Sequence, residues 1–255
     1  MLRSLAIARL ELRILSRDPL PIVLLFALPL AVVAFLRPAL ALALFTEGHV
    51  AANGSEQAIP GVVVTFSFFV VGFVGLAFYR EHGWGTWWRL KATAASPAEI
   101  VAGKVLPILG ISAVQAAFLF LAGTFAFGFR PRGPAIALAP VCAALVVCSV
   151  ALGLAVAAVS RTLQQVNIVA NLGTVVLAGL GGALVPLSLL PGWAQRLAPV
   201  FPSYWAMRGF RSVVLDGGGL TSVALPSIVL LGYAMMFVAG ALAGFRADEE
   251  KVSWA

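Results

Sequence analysis

Long apolar runs separated by short charged segments organise this chain. Residues 20–36 carry no charge, and Arg37 is followed by a further apolar stretch to Phe45. Uncharged runs then cover 57–79, 105–129, 133–160, 162–195 and 217–245. A helix that crosses a bilayer needs about 20 mostly apolar residues, and each run supplies them. The run 162–195 is too long for one span and holds Pro186, Pro191 and Gly192, so a helix is predicted to stop near Leu184 and a membrane-surface segment to follow. The pattern predicts an all-α membrane protein. Six transmembrane helices, near 20–43, 59–79, 105–128, 136–159, 166–185 and 223–244, form one bundle and a single domain over 1–255. An even number of spans puts both termini on one side.

Composition agrees with a lipid solvent. The chain is 61% hydrophobic and 11% charged, against roughly 25% charged in soluble domains. The net charge of +7 reads as membrane orientation, since Lys and Arg collect on cytoplasmic loops. Nucleic acid is not an expected partner. Eleven of the basic residues fall on the terminal side: Arg3, Arg9, Arg13, Arg17, Arg80, Arg89, Lys91, Lys104, Arg161, Arg246 and Lys251. Six fall opposite, and the first loop, 44–58, has neither Lys nor Arg. Both termini are therefore predicted to be cytoplasmic. Cys142 and Cys148 lie about 240° apart on a helix, which rules out a bridge between them. The first span resembles a signal peptide in its basic arm and in the spacing of Ala39, Ala41 and Ala43. Glu11 and Asp18 within the arm, and an apolar run longer than an h-region of about 7–15 residues, favour a retained span.

Two segments promise more than membrane crossing. In the arm 1–18, Arg9, Arg13 and Arg17 share one helix face, with Leu5, Ala8, Leu12 and Leu15 opposite. This fits an amphipathic helix lying on anionic lipid, or a plain positive-inside anchor. Asp18-Pro19 marks a break before span 1. The loop after span 2 is charged and rich in Trp. Ser96-Pro97 with Glu99 three residues on is a capping-box pattern that predicts a short cytoplasmic helix. Such a helix transmits force from a partner. The alternative is a surface loop with Trp84, Trp87 and Trp88 as an interfacial belt.

The same loop resembles the first cytoplasmic loop of type-2 ATP-binding-cassette (ABC) exporter permeases. The matching residues are Glu81, Gly85-Thr86, Leu90, Thr93, Ser96, Glu99 and Gly103-Lys104. Trp88 stands where that family commonly has an acid, and Ala94 where it commonly has Pro. A second match, Leu190-Pro191-Gly192-Trp193 with Pro199, Pro202, Tyr204 and Arg208 to Arg211, resembles the re-entrant segment between the family's spans 5 and 6. The resemblance implies a permease subunit of the cytoplasmic (inner) membrane of a prokaryote. It would export a hydrophobic drug- or lipid-like substrate, pair with a second permease as a homo- or heterodimer, and be driven by a cytoplasmic ABC ATPase that holds ATP and Mg. Coupling to the ATPase is then expected at Glu81, Gly85, Thr86, Arg89, Ser96, Glu99, Gly103 and Lys104, with an interface helix carrying Arg9, Arg13 and Arg17. Glycan-exporting relatives share this topology and stay open.

No ATP chemistry is expected in this chain. A P-loop needs Gly five residues before its Gly-Lys pair and Ser or Thr after it, but position 98 is Ala and 105 is Val. Catalytic, cofactor-binding and metal-binding residues are not identified: His49 and His82 stand alone, and the aspartates are only Asp18, Asp216 and Asp248. In the spans, Asn167, Asn171 and Thr174 form one polar stripe on span 5, and Gln115 lies in span 3. These are read either as helix–helix glue or as the lining of a substrate path. The spans lack the intramembrane acids that proton-coupled carriers use, which disfavours an ATPase-independent secondary transporter.

Overall fold

The computed structural model describes residues 2–17 and 20–244. An N-terminal helix α1 (Leu2–Arg17) precedes the first long helix α2 (Leu20–Thr46). Then come α3 (Ser55–Gly83), a five-residue α4 (Trp87–Lys91), α5 (Pro97–Phe127), α6 (Leu138–Val159) and α7 (Leu163–Leu180). Short helices α8 (Gly192–Leu197) and α9 (Pro202–Val214) lead to α10 (Leu220–Gly244). Among the described residues, six helices are long and apolar enough to cross a membrane. The chain is a multi-pass, all-α membrane protein, as the pattern predicted. The Asp18-Pro19 break and the basic tail beyond Gly244 lie outside the described residues.

Several boundaries differ from the sequence expectation, for local reasons. α3 begins at Ser55 because its start is capped: Asn53 Oδ1 accepts from the Ser55 N–H at 2.9 Å, and the Glu56 carboxylate accepts from the Asn53 N–H at 3.0 Å. Gly54 makes the turn at φ 90°, and a Cβ there would lie 2.1 Å from the Arg37 carbonyl oxygen. The expected separate helix at Ser96 is corrected. Its capping box is present, with Ser96 Oγ accepting from Glu99 N at 3.2 Å and Glu99 accepting from Ser96 N at 3.0 Å. The helix it starts runs unbroken into span 3, since Ala98 to Val105 hold no breaker beyond Gly103. The separate helix between spans 2 and 3 is α4 instead. Span 5 ends at Leu180, not near Leu184 or Val185, because Gly181-Gly182 terminates it, with Gly182 at φ +78°.

α3 is the axis of the bundle. Most of its length is buried, and α2, α5, α6, α7 and α9 pack around it. The apolar core gathers Phe68, Leu119, Phe129, Leu145, Phe210 and Leu230. The segment after span 5 does not simply lie on the surface: α9 buries Ala206, Met207, Phe210, Val213 and Val214 against α3, α6 and α10. Cys142 and Cys148 are free thiols.

Candidate functional site: a buried ionic joint beneath the loop between spans 2 and 3

α1 packs against α5, and Gly103 is what lets it approach. A Cβ on Gly103 would lie 2.6 Å from the Ile7 Cβ and 2.9 Å from the Ser4 carbonyl oxygen. Beside this crossing sits Lys104, only 1% exposed. Its ammonium donates to Glu11 Oε1 at 2.8 Å, to the Ala77 carbonyl at 2.8 Å and to Glu81 Oε1 at 3.0 Å. Arg80 pairs with the other Glu11 oxygen, and its guanidinium lies 5.2 Å from the centre of the Trp84 ring. Thr86 donates to the second Glu81 oxygen. All three ammonium protons of Lys104 are thus used, and two cations face two carboxylates. Burial without that balance would be costly, since a buried charge must be paired. The joint binds α1, the end of α3, the following turn and α5 into one body.

The turn above the joint is built from the same residues. Gly85, at φ +65°, reverses the chain after α3. The Thr86 N–H closes back onto the Glu81 carbonyl at 2.9 Å. The His82 ring stacks on Trp87 with centroids 4.6 Å apart, and Tyr79 donates its hydroxyl to the Ser160 carbonyl at the end of span 4. Arg3 donates to the Ala94 carbonyl, which ties α1 to the same loop.

The sequence-named residues therefore divide in two. Glu81, Gly103 and Lys104 are inside the joint, and Gly85 and Thr86 form its turn. Arg89 and Ser96 stand at the surface, together with Trp84 and Trp88. Glu99 is half-buried and committed to the Ser96 cap. Arg9, Arg13 and Arg17 are exposed on α1. The apolar stripe of α1 is not buried as a whole: Leu5 and Leu12 are exposed, while Ala8 and Glu11 are buried.

A family comparison settles what kind of protein carries this joint. The ABC-2 type transporter family model matches residues 6–215. The chain belongs to the ABC-2 type transporter family. Members of that family are membrane components of transporters, so this ABC-2 chain is a permease subunit. It is also similar to "Linearmycin resistance permease protein LnrN" of Bacillus subtilis (strain 168), with 28% identity over 201 residues. That match covers 79% of this chain and 52% of the relative, so the chain spans about half the length of the relative.

The ABC-2 chain's membrane-embedded polar residues are not gathered in one place. Gln115 is buried and donates to the Leu25 carbonyl at 2.8 Å, which makes it a tie between α5 and α2. Asn167 and Asn171 lie on the outer surface of the single chain. Thr174 is buried, and its hydroxyl makes no hydrogen bond.

Sequence reasoning missed two members of the joint. Glu11 was noted only as an acid within a basic arm, and Arg80 only as a loop charge. The available signal was spacing: Ser4, Ile7, Ala8, Glu11 and Leu15 recur at three and four, so the acid lies on one face with apolar neighbours. It also missed a second network at the other end of the bundle. Arg211 of α9 donates to Glu47 at 2.5 Å and to Gln57 at 2.7 Å, and Gln57 donates to the Gly182 carbonyl at 2.9 Å. Ser188 donates to the other Glu47 oxygen. Partial burial raises the Glu47 pKa, but the Ser188 hydroxyl and the Arg211 guanidinium outweigh it and hold the carboxyl below its ordinary value.

Proposed function

We propose that this chain is the membrane half of an ATP-driven exporter, with ATP and Mg on a separate cytoplasmic ATPase subunit. The observation that carries this reading is the Lys104 joint. A loop that receives force must not fold away under load, and here Glu11, Arg80, Glu81 and Lys104 lock the loop and the α1 helix onto spans 2 and 3. The exposed rim formed by Trp88, Arg89 and Ser96 is then the docking surface. Movement of that rim would pass through the joint to α3, the central helix. The basic-residue count supports a cytoplasmic position for this rim and for both termini, in the cytoplasmic membrane of a prokaryote.

A second permease, identical or related, would cover the exposed Asn167–Asn171 face of α7, because side-chain amides facing hydrocarbon are unfavourable without a partner. The cargo is read as a hydrophobic drug- or lipid-like molecule. The name of the Bacillus relative, a resistance permease for linearmycin, supports export of such a compound.

The test is co-expression with an ATPase encoded beside this chain's gene, followed by copurification and hydrolysis assays. A complex should form, and Glu81→Ala or Glu99→Lys should leave the permease inserted but lower substrate-stimulated hydrolysis. Full stimulation in both variants would overturn the coupling assignment.

A further inference from the structure

Spans 5 and 6 leave a crevice between them. α10 packs on α6 and α9, while α7 packs mainly on α3. Between α7 and α10 runs a groove of about 310 Å³, lined by Val156, Ala170, Leu177, Phe201, Met236 and Phe237. Both flanking helices are spanning helices, so the groove lies at the depth of hydrocarbon. Its volume is at the low end for ligand pockets, which run about 300–1,000 Å³.

Two polar side chains line it, and they differ. The Tyr233 hydroxyl is satisfied, donating to the Val200 carbonyl at 2.7 Å. Thr174 is 2% exposed, and its hydroxyl has no hydrogen-bond partner. A helical Thr ordinarily donates to the carbonyl one turn back, and this one does not. A dry apolar groove does not hold water without two or more polar contacts. A plain bilayer tail would fill the groove and leave the hydroxyl unmatched.

We propose that this groove receives the hydrocarbon chain of the exported amphiphile from the side of the bundle, with the Thr174 hydroxyl rotating to hydrogen-bond a hydroxyl or carbonyl on that chain. This rests on the exporter reading above and names the face through which its cargo is held. Gly173 offers a clean perturbation. Gly173 lines the groove and a Cβ built on it meets nothing within 4 Å, so Gly173→Leu is chosen to narrow the space.

The experiment uses the permease–ATPase complex in nanodiscs. The probes are hexadecanoic acid with a mid-chain diazirine and the same acid with an adjacent hydroxyl, with photoadducts mapped by mass spectrometry. Leu177, Met236 and Phe237 should be labelled well above Leu172 and Val176, which are exposed on α7 away from both the groove and the Asn167–Asn171 face. The hydroxylated probe should be preferred, and Thr174→Val should remove the preference while Thr174→Ser keeps it. Gly173→Leu should abolish groove labelling in folded protein. Trapping with ATP and vanadate should empty the groove. Labelling no greater than at Leu172 would overturn the site. Labelling indifferent to trapping would show a resident bilayer chain and overturn the transport role. Failure of the complex to copurify would instead strike the exporter reading, because groove labelling of the permease alone still tests the site.

Discussion

Replacing Lys104 by Met removes one cation from the joint and keeps the side chain's length. The lysine is 1% exposed and serves Glu11, Glu81 and the Ala77 carbonyl. After substitution Arg80 still faces Glu11, but Glu81 retains only Thr86 as a side-chain hydrogen-bond partner. Breaking one partner out of a buried ion pair costs about 3–5 kcal/mol, because the remaining charge stays buried and unmatched. At roughly 2–4 °C per kcal/mol for a chain of this size, the melting temperature should fall by on the order of 10 °C. The half-buried and buried thiols of Cys142 and Cys148 are built-in reporters, since a thiol-reactive dye labels them as the bundle opens. Glu81→Gln combined with Lys104→Met should recover part of the loss, because it removes the carboxylate left without a cation, with a coupling energy of about 1–3 kcal/mol. A Lys104→Met protein that melts within about 2 °C of the unsubstituted chain would refute the reasoning, as that shift corresponds to less than about 1 kcal/mol.

Other expectations follow from single contacts. Ser96→Ala removes the hydroxyl that accepts from Glu99 N; it should cost about 1 kcal/mol in thermal stability and lower ATPase stimulation in the reconstituted complex more than it lowers folding. Gly61→Ala sets a Cβ 2.0 Å from the Ala183 carbonyl oxygen, so it should destabilise by about 1–3 kcal/mol in the same dye assay, whereas Gly173→Ala should be neutral or slightly stabilising. Glu47 is held below its ordinary value of 4.5, so its contribution is fully present above that pH and is lost as pH falls through the depressed value. The melting-temperature gap between the unsubstituted chain and Glu47→Gln should therefore close as the pH is taken well below 4.5, and a gap that widens there contradicts the Glu47–Arg211 assignment. If a second permease covers the α7 face, folded Asn171→Leu should shift the permease from dimer toward monomer in native mass spectrometry; an unchanged dimer fraction counts against that face.

The spans were legible because lipid imposes one rule, an apolar run of sufficient length, and five charge-free stretches and the run around Arg37 obey it. Helix ends were less so. Asn53, Gly54 and Glu56 extend α3 through a cap whose geometry depends on the Arg37 backbone, a contact distant in sequence. The loop motif was visible as residues, but its meaning changed once placed. Glu81 and Lys104 lie 23 positions apart, and nothing local says that they meet or that Glu11 completes them. Gly103 reads in sequence only as half of the closing Gly-Lys pair, whereas in the fold it is the point where α1 crosses α5. Asn167, Asn171 and Thr174 read as one polar stripe, and only the packed structure shows that the two amides are exposed on the single chain while Thr174 is buried.

The central claim is that the rim above the Lys104 joint receives an ATPase. The most direct measurement places a photocrosslinking amino acid at Arg89, exposed on α4, and at Val50, exposed in the loop between spans 1 and 2, in membranes co-expressing the partner. The account predicts that Arg89 crosslinks to the ATPase, that the yield changes on ATP–vanadate trapping, and that Val50 gives no such product. A copurifying ATPase that crosslinks at Val50 and not at Arg89 would contradict it.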